Sequence, residues 1–453
     1  MLVRRECGYR LAAEDAALRE RPRRARGAPS VIDTPPLFAQ NCINMSQMDR
    51  YLAPQRAKEV QVMALVDERG ATTRRALAEA TGLQAASLNR LVAGLVDRGL
   101  LEAVDHAGTG RRGRPEGRVA IRPDAAAIVG LEFGRDHVAG VVIDAAGRVR
   151  HVDEALSAPP FEVSDATMDA LADAAERLRA DAGFPPSALR AVGIALHDVV
   201  TANGAWRTVE TPGGDHYDVR AALTARLRRL VLVDDVSRAF AEAEHRFGAG
   251  AGEPDMIYLF IGSHGVGGGI FVNDRLLVSS GGICGEIGHV VVDEDGELCQ
   301  CGSTGCFETV ASHRAIVARF EALAARGVST ALTPPVTFHE ICAAAGRGDK
   351  GAYLVLRELA EATGRALGAT INVVGAPTVI VGGALRAAGS TFLDHVGVTL
   401  RARVVSGLSP HVSLRYATLP PHAGALGAAV KAREAALWSG ELLEPTPEAV
   451  PAP

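Results

Sequence analysis

The sequence contains no apolar run of about 18 residues, the length a helix needs to cross a bilayer, so no transmembrane helix is expected. It also lacks the apolar stretch of a secretory signal, because Met1-Leu2-Val3 gives way at once to Arg4, Arg5 and Glu6. Cysteine is scarce and odd in number, with seven residues in 453. Cys7, Cys42, Cys284 and Cys342 are scattered singles, which argues against a disulfide framework. Cys299, Cys301 and Cys306 crowd together. In a long chain without a signal, such a cluster points to metal or redox chemistry in a reducing cytoplasm. A cytoplasmic location with no membrane partner is therefore expected.

The chain does hold the material of a globular protein, 47% hydrophobic and 22% charged. At about 150 residues per domain its length suggests roughly three units. The net charge of −5 conceals an asymmetry. Residues 1–122 carry 21 Lys and Arg against 14 Asp and Glu, whereas the remainder carries 27 against 39. A basic first part on an acidic body suggests an anionic partner for the first part alone. Eight of the arginines fall before residue 27, in a stretch that reads as a disordered tail and accounts for part of the excess.

Residues 1–53 show no sustained period and are expected to be disordered, with Met45 or Met48 a candidate start. From Gln55, apolar residues recur at helical spacing up to Gly70. A second helix fits Thr73 to Ala80, capped by Thr72 or Thr73. Gly82 suits the left-handed corner that follows. A third helix spans about Ala85 to Arg98, with Leu88, Leu91, Val92 and Leu95 on one face. Strands at Leu100–Val104 and Arg118–Ile121 flank a Gly- and Arg-rich loop. A short helix, a Gly turn and a longer helix followed by a basic hairpin form a winged helix-turn-helix over 54–123. Gln84, Ser87, Asn89 and Arg90 open the recognition helix, and Arg111, Arg112 and Arg114 sit in the wing. These types suit base edges and phosphates of operator DNA. A plain helical bundle with a charged hairpin is the competing reading.

Two strand–Gly turn–strand–turn–strand units follow, one from Ala127 and one from Met256, the second with its Gly-rich turn over 262–269. Their repetition suggests a two-lobed α/β protein over 124–438. A Pro- and Glu-rich tail over 439–453 is expected to be disordered.

His289 and the three clustered cysteines give one imidazole and three thiolates within eighteen residues. Four N/S ligands make a closed, structural Zn2+ site, and such a site contributes on the order of ten kcal/mol to ordering its loop. A redox pair and inert buried thiols are the alternatives, and Cys-x-Cys is not the usual Cys-x-x-Cys redox spacing.

The run Gly281-Gly282-Ile283-Cys284-Gly285-Glu286-Ile287-Gly288-His289, followed by Cys299-Gln300-Cys301-Gly302-Ser303-Thr304-Gly305-Cys306-Phe307-Glu308, resembles the signature of the ROK family (repressors, open reading frames and kinases). The resemblance covers roughly 125–435. It implies an actin-like (ribonuclease H-like), two-lobed sugar-kinase fold with a sugar in the cleft. By resemblance, Glu286, His289 and Glu308 would hold sugar hydroxyls, with the zinc fixing them from behind. Val231 to Ser237 looks like the family's strand ending in Asn-Asp. Asp235 would match the aspartate that takes a proton from the sugar hydroxyl in the kinases, and Asp234 stands for the Asn, so both are candidate sugar contacts. A helix N-cap would also explain Asp235.

Family kinases bind ATP phosphates with Gly-rich hairpins, the first reading Asp-x-Gly-Gly-Thr. Here the segment is Glu132-Phe133-Gly134-Arg135-Asp136, which removes one glycine and adds a negative charge. At the second loop, Ser263-His264 replaces Gly-Thr. Two functions remain in view. One is a DNA-binding repressor of carbohydrate metabolism gated by a sugar and acting as a homodimer or higher oligomer. The other is an ATP-dependent sugar kinase with an accessory DNA-binding domain. The altered hairpin at 132–136 favours the non-enzymatic regulator, in which Asp235 would be a vestige.

Overall fold

The computed structural model describes residues 52–104, 117–135, 137–157, 159–201, 204–207, 217–262 and 265–444. Of the residues 1–53 expected to be disordered, 1–51 lie outside these residues, as do the wing arginines Arg111, Arg112 and Arg114 and Asp136, Ser263 and His264.

Helix α1 (Pro54–Arg69) begins with proline, whose missing N–H costs nothing in a first turn, and buries Ala57, Val60, Val62, Met63 and Val66. Thr72 and Thr73 form a two-residue strand, β1. Helix α2 (Arg74–Thr81) is capped by Thr73, whose Oγ1 accepts from Ala76 N–H at 3.2 Å. Gly82 turns the chain at φ 69° into α3 (Ala85–Asp97), which buries Leu88, Leu91, Val92 and Leu95. Strands β2 (Leu101–Val104) and β3 (Arg118–Ile121) pair antiparallel, and β1 joins β3 on its other edge. This is the winged-helix plan. Sequence periodicity gave Thr72–Thr73 only a capping role, because two residues are too few to show a strand period.

The body carries two five-stranded sheets of the same topology. The first is built from β4 (Ala127–Phe133), β5 (Val138–Asp144), β6 (Val149–Leu156), β7 (Leu189–Leu196) and, after a small sheet of β8 (Val199–Val200), β9 (Ala205–Arg207) and β10 (Tyr217–Asp218), β11 (Leu230–Asp235). Its order is β11-β7-β4-β5-β6, with β4–β5 and β5–β6 antiparallel and β4–β7 and β7–β11 parallel. The second, from β12 (Met256–Ile261), β13 (Val266–Val272), β14 (Arg275–Leu276), β15 (Thr378–Val381) and β16 (Ser413–Tyr416), has order β14-β13-β12-β15-β16 with matching directions. The halves are therefore structural repeats, as the recurring strand–turn plan predicts.

One expectation is corrected. Gly267, Gly268 and Gly269 do not turn the chain but belong to strand β13. Their lack of a side chain serves close packing. A Cβ at Gly267 would lie 2.2 Å from Ser237 Oγ, at Gly268 2.5 Å from Ile287 Cδ1, and at Gly269 2.2 Å from Ala241 Cβ. Ser237 and Ala241 belong to α4 (Val236–Phe247), which follows β11.

A late helix, α5 (Ala423–Ser439), packs on α4 and across β4, β7 and β5. It approaches the strands at glycine distance, since a Cβ at Gly130 would meet Ala425 O at 1.9 Å and one at Gly193 would meet Ala428 O at 2.0 Å. One continuous apolar core runs from Val60, Leu88 and Leu95 of the winged helix to Ala429, Ala436 and Leu437 of α5. A second core, with Ile257, Phe307 and Leu359, fills the other lobe. The disordered tail expected from 439 is corrected at its start. Ser439 ends α5, and Glu441–Leu443 forms a 3-10 turn in which Leu442 and Leu443 are buried in the first core. Two isolated leucines after a helix leave no periodicity to read. Among the described residues no helix is long and apolar enough to cross a membrane.

Candidate functional site

A cavity of about 1530 Å³ is lined from one side by Arg135, His137, His197 and Asp235, and from the other by Gly265–Gly268, Glu286, His289 and Glu308. Four of the five residues expected to face a sugar therefore share it.

Asp235 ends β11 and caps α4, its Oδ1 accepting from Ser237 N–H at 2.8 Å and Arg238 N–H at 3.3 Å. Capping and cavity lining thus coexist in one carboxylate. Burial pushes its carboxyl above the usual range despite Arg238, and Asp234 adds to the rise. Asp234 is the exception, and the expectation of a sugar contact is corrected. Its side chain turns away from the cavity into a buried ion pair, with Arg238 Nε at 2.6 Å on Oδ1 and Lys431 of α5 on Oδ2. Burial would raise its carboxyl, but the charges of Arg238 and Lys431 outweigh that and hold it at about 2.

Glu286 is pushed up to about 7 by burial, together with Asp235 and Glu308 and against Arg238. Glu308 lies on a one-turn helix, Phe307–Ala311, and its Oε2 accepts from Val266 N–H at 2.9 Å. That tie fixes it over the first residue of β13.

His289, Cys299, Cys301 and Cys306 bring their ligand atoms within 4.8 Å of one another. His289 Nδ1 lies 3.6 Å from Cys299 Sγ, and Cys301 Sγ lies 3.6 Å from Cys306 Sγ. Zinc–sulfur bonds of 2.3 Å in a tetrahedron separate sulfurs by about 3.8 Å, so the donor set and spacing fit a metal. The loop is built for it. Gly302 and Gly305 adopt φ 92° and 72°, and a Cβ at Gly305 would collide with Asp293 O at 1.5 Å. Cys299 N–H donates to Ser303 O at 2.8 Å, closing the turn between the first thiols and the third. With Nδ1 turned to the thiols, His289 Nε2 faces Glu286, 3.9 Å from Oε2.

At the first hairpin, Glu132 is buried and its Oε1 meets His197 Nε2 at 2.9 Å and His137 Nε2 at 3.1 Å. Arg135 projects its guanidinium over the Phe161 ring, 5.2 Å from the centroid. The histidines escaped sequence reasoning because 65 residues separate Glu132 from His197, and no spacing motif links them.

In the winged helix, Gln84, the N-cap of α3, and Ser87, Asn89 and Arg90 are all exposed, while Leu88 points inward. They form an open polar face at the start of the helix. The domain is anchored to the body by Arg433 of α5, which pairs with Asp67, and by Arg56, whose Nη2 donates to Gly440 O at 2.7 Å.

The ROK family model matches residues 128–435, and the MarR family model matches residues 54–112. The DNA-binding transcriptional dual regulator NagC of Escherichia coli K12 is 27% identical over 392 residues, 84% of this chain and 93% of NagC. A glucokinase of Streptomyces coelicolor is 30% identical over 322 residues, 68% of this chain and 97% of the enzyme. Among solved structures, a ROK family transcriptional regulator homologous to Escherichia coli Mlc superposes with a TM-score of 0.74 at 24% identity, over 86% of this chain and 98% of that one. The body, its repeated sheets and its Cys-rich loop thus have one source, and the chain belongs to the ROK family, with a MarR-type winged helix ahead of the kinase-like fold.

Proposed function

We propose that this chain is a cytoplasmic transcriptional repressor that binds operator DNA through its winged helix and releases or retains it according to a sugar held in the cleft of its kinase-like body. The carrying observation is that one helix touches both the strand end that carries Asp235 and the DNA reader. Helix α5 contacts Asp234, next to Asp235, through Lys431, and Asp67 of the winged helix through Arg433. Similarity to NagC over 84% of the chain supports the transcriptional-regulator class.

In this reading Asp235, Glu286, Glu308 and Nε2 of His289 accept hydrogen bonds from, or donate them to, vicinal sugar hydroxyls. Zn2+ held by Cys299, Cys301, Cys306 and Nδ1 of His289 would supply a structural anchor that fixes the imidazole and the loop carrying Glu308. Gln84, Ser87, Asn89 and Arg90 contact base edges and phosphates, and Arg111, Arg112 and Arg114 add phosphate contacts from the wing. The active form is a homodimer or higher oligomer that places two recognition helices on paired half-sites. A sugar changes DNA affinity only by its differential affinity for the two arrangements of the dimer.

Kinase activity is not expected. A buried carboxylate at Glu132 and the Arg135 side chain occupy the hairpin where backbone amides would have to approach phosphate. Fluorescence anisotropy on operator DNA, with and without a panel of hexoses, pentoses and N-acetylated sugars, tests the regulator. A coupled ATP assay over the same panel tests the alternative. Turnover of order 1 per second or faster would replace the regulator reading with a kinase.

A further inference from the structure

We propose that Glu132, His137 and His197 form a second metal site, for a divalent first-row transition ion such as Zn2+, at the floor of the cleft. It is separate from the Cys-rich cluster and does not depend on the regulator reading above.

Three elements deliver the ligands. Glu132 lies near the end of β4, His137 immediately precedes β5, and His197 immediately follows β7. The backbone fixes all three. Gly134 N–H donates to His137 O at 3.0 Å, closing the hairpin, and His197 N–H donates to Phe133 O at 3.0 Å. Gly134 leaves room for the rings, since a Cβ there would sit 3.3 Å from atoms of both imidazoles. The rings stand edge to face, 5.3 Å apart, and aim both Nε2 atoms at the same carboxylate oxygen. All three ligand atoms lie within 4.8 Å of one another.

The burial of the carboxylate is a second observation. Its side chain is 2% exposed, and Oε2 is buried with no hydrogen-bond partner among the described residues. Helix α5 closes over that oxygen, and a Cβ at Gly424 would lie 2.5 Å from it. Leaving a buried charged acceptor unsatisfied is costly. Its ion-pair partners among the described residues are the two imidazoles. A divalent ion held on Oε1 between the two Nε2 atoms would bring a positive charge to this buried carboxylate.

Metal–ligand bonds of 2.0–2.1 Å place donor atoms about 3.3 Å apart. The observed 2.9 and 3.1 Å need an outward shift of a few tenths of an ångström. His137 has 44% of its side chain exposed. Two imidazoles and a carboxylate favour zinc, nickel or cobalt over magnesium, which prefers oxygen ligands. Three protein ligands also leave a coordination position open. Because both imidazoles line the cavity, that position faces whatever occupies the cleft and accepts an oxygen from it or from water. The hairpin that holds nucleotide phosphate in the kinases would thus hold a metal of a different class here.

The test titrates full-length protein, freed of metal by a chelator, with Zn2+ in competition with a chromophoric chelator. Wild type is expected to take up one more equivalent per chain than a His137→Asn, His197→Asn double variant. The Cys-rich cluster is present in both proteins and cancels from the difference. Equal uptake overturns the proposal. Glu132→Gln keeps the side-chain shape and guards against loss of folding in the double variant. It is expected to weaken the extra equivalent at least tenfold, and unchanged affinity overturns the proposal. Millimolar Mg2+ is expected to leave that equivalent in place, and its displacement by Mg2+ overturns the assignment to a transition ion.

Discussion

Arg433 of α5 reaches across to Asp67 of α1, with Nη1 3.0 Å from Oδ2, while its Nε donates to Ala145 O at 2.8 Å. The guanidinium is nearly buried, and it binds the DNA reader and the first sheet at once. Asp67→Ala removes both carboxylate acceptors from that buried donor group and is expected to destabilise the chain by about 1–3 kcal/mol. It should also reduce the effect of sugar on DNA affinity while sparing DNA binding without sugar. Urea melts and operator anisotropy check both. A full sugar response in the variant would remove this contact from the coupling.

Asp234 gives stability a defined acid dependence. Its carboxyl is held at about 2, against an ordinary value of 3.8. A depressed carboxyl contributes stability that is fully present above the unfolded value and is lost as pH falls through the folded one. The contribution is about 2 kcal/mol at neutral pH. The stability difference between wild type and Asp234→Asn should therefore be full at pH 6 and shrink between about pH 4 and pH 2. Urea denaturation across that range measures it, and a difference that grows with acidity would contradict the pairing with Arg238 and Lys431.

Gly269 tests the corrected role of the 267–269 glycines. A Cβ there meets Ala241 Cβ at 2.2 Å, a backbone-fixed atom that no rotamer change can move. Gly269→Ala should cost about 1–3 kcal/mol by overpacking. At Gly407, where nothing lies within 4 Å and φ is not positive, the same change should cost far less. Thermal unfolding compares them.

The recognition helix separates packing from reading. Leu88→Ala should cost about 2–5 kcal/mol of stability, because Leu88 is 1% exposed. Arg90→Ala should leave stability unchanged, lower affinity for all sequences and reduce the salt slope of DNA binding by about one. An unchanged slope would exclude Arg90 from phosphate contact. In the proposed sugar site, Glu308→Gln should weaken sugar binding at least tenfold in calorimetry while leaving DNA affinity without sugar intact.

Features written in local spacing were legible in the sequence. The helices ending at Gly70 and Gly82, the paired strands of the winged hairpin, the repeated halves and the four clustered ligands each lie within a short window, and the structure places them as read. Features that depend on partners far apart in the chain were not. Asp234 reads as a site residue beside Asp235, yet strand alternation turns it to the opposite side, where Arg238 and Lys431 wait. Glu132 and its two histidines meet only after β4 and β7 pair in parallel. The 267–269 run looks like a turn because composition cannot distinguish a glycine needed for a corner from one needed for contact.

Helix α5 touches Glu132 through Gly424 at its first turn, Asp234 through Lys431 midway, Asp67 through Arg433, and Arg56 through Gly440 at its end. Gly424 to Gly440 spans about 24 Å at 1.5 Å per residue. A rigid rod of that length is a lever. A tilt of about 5° at the cavity end would displace the other end by about 2 Å, and in the dimer proposed above a pair of such displacements would change the register of two recognition helices against the fixed pitch of DNA.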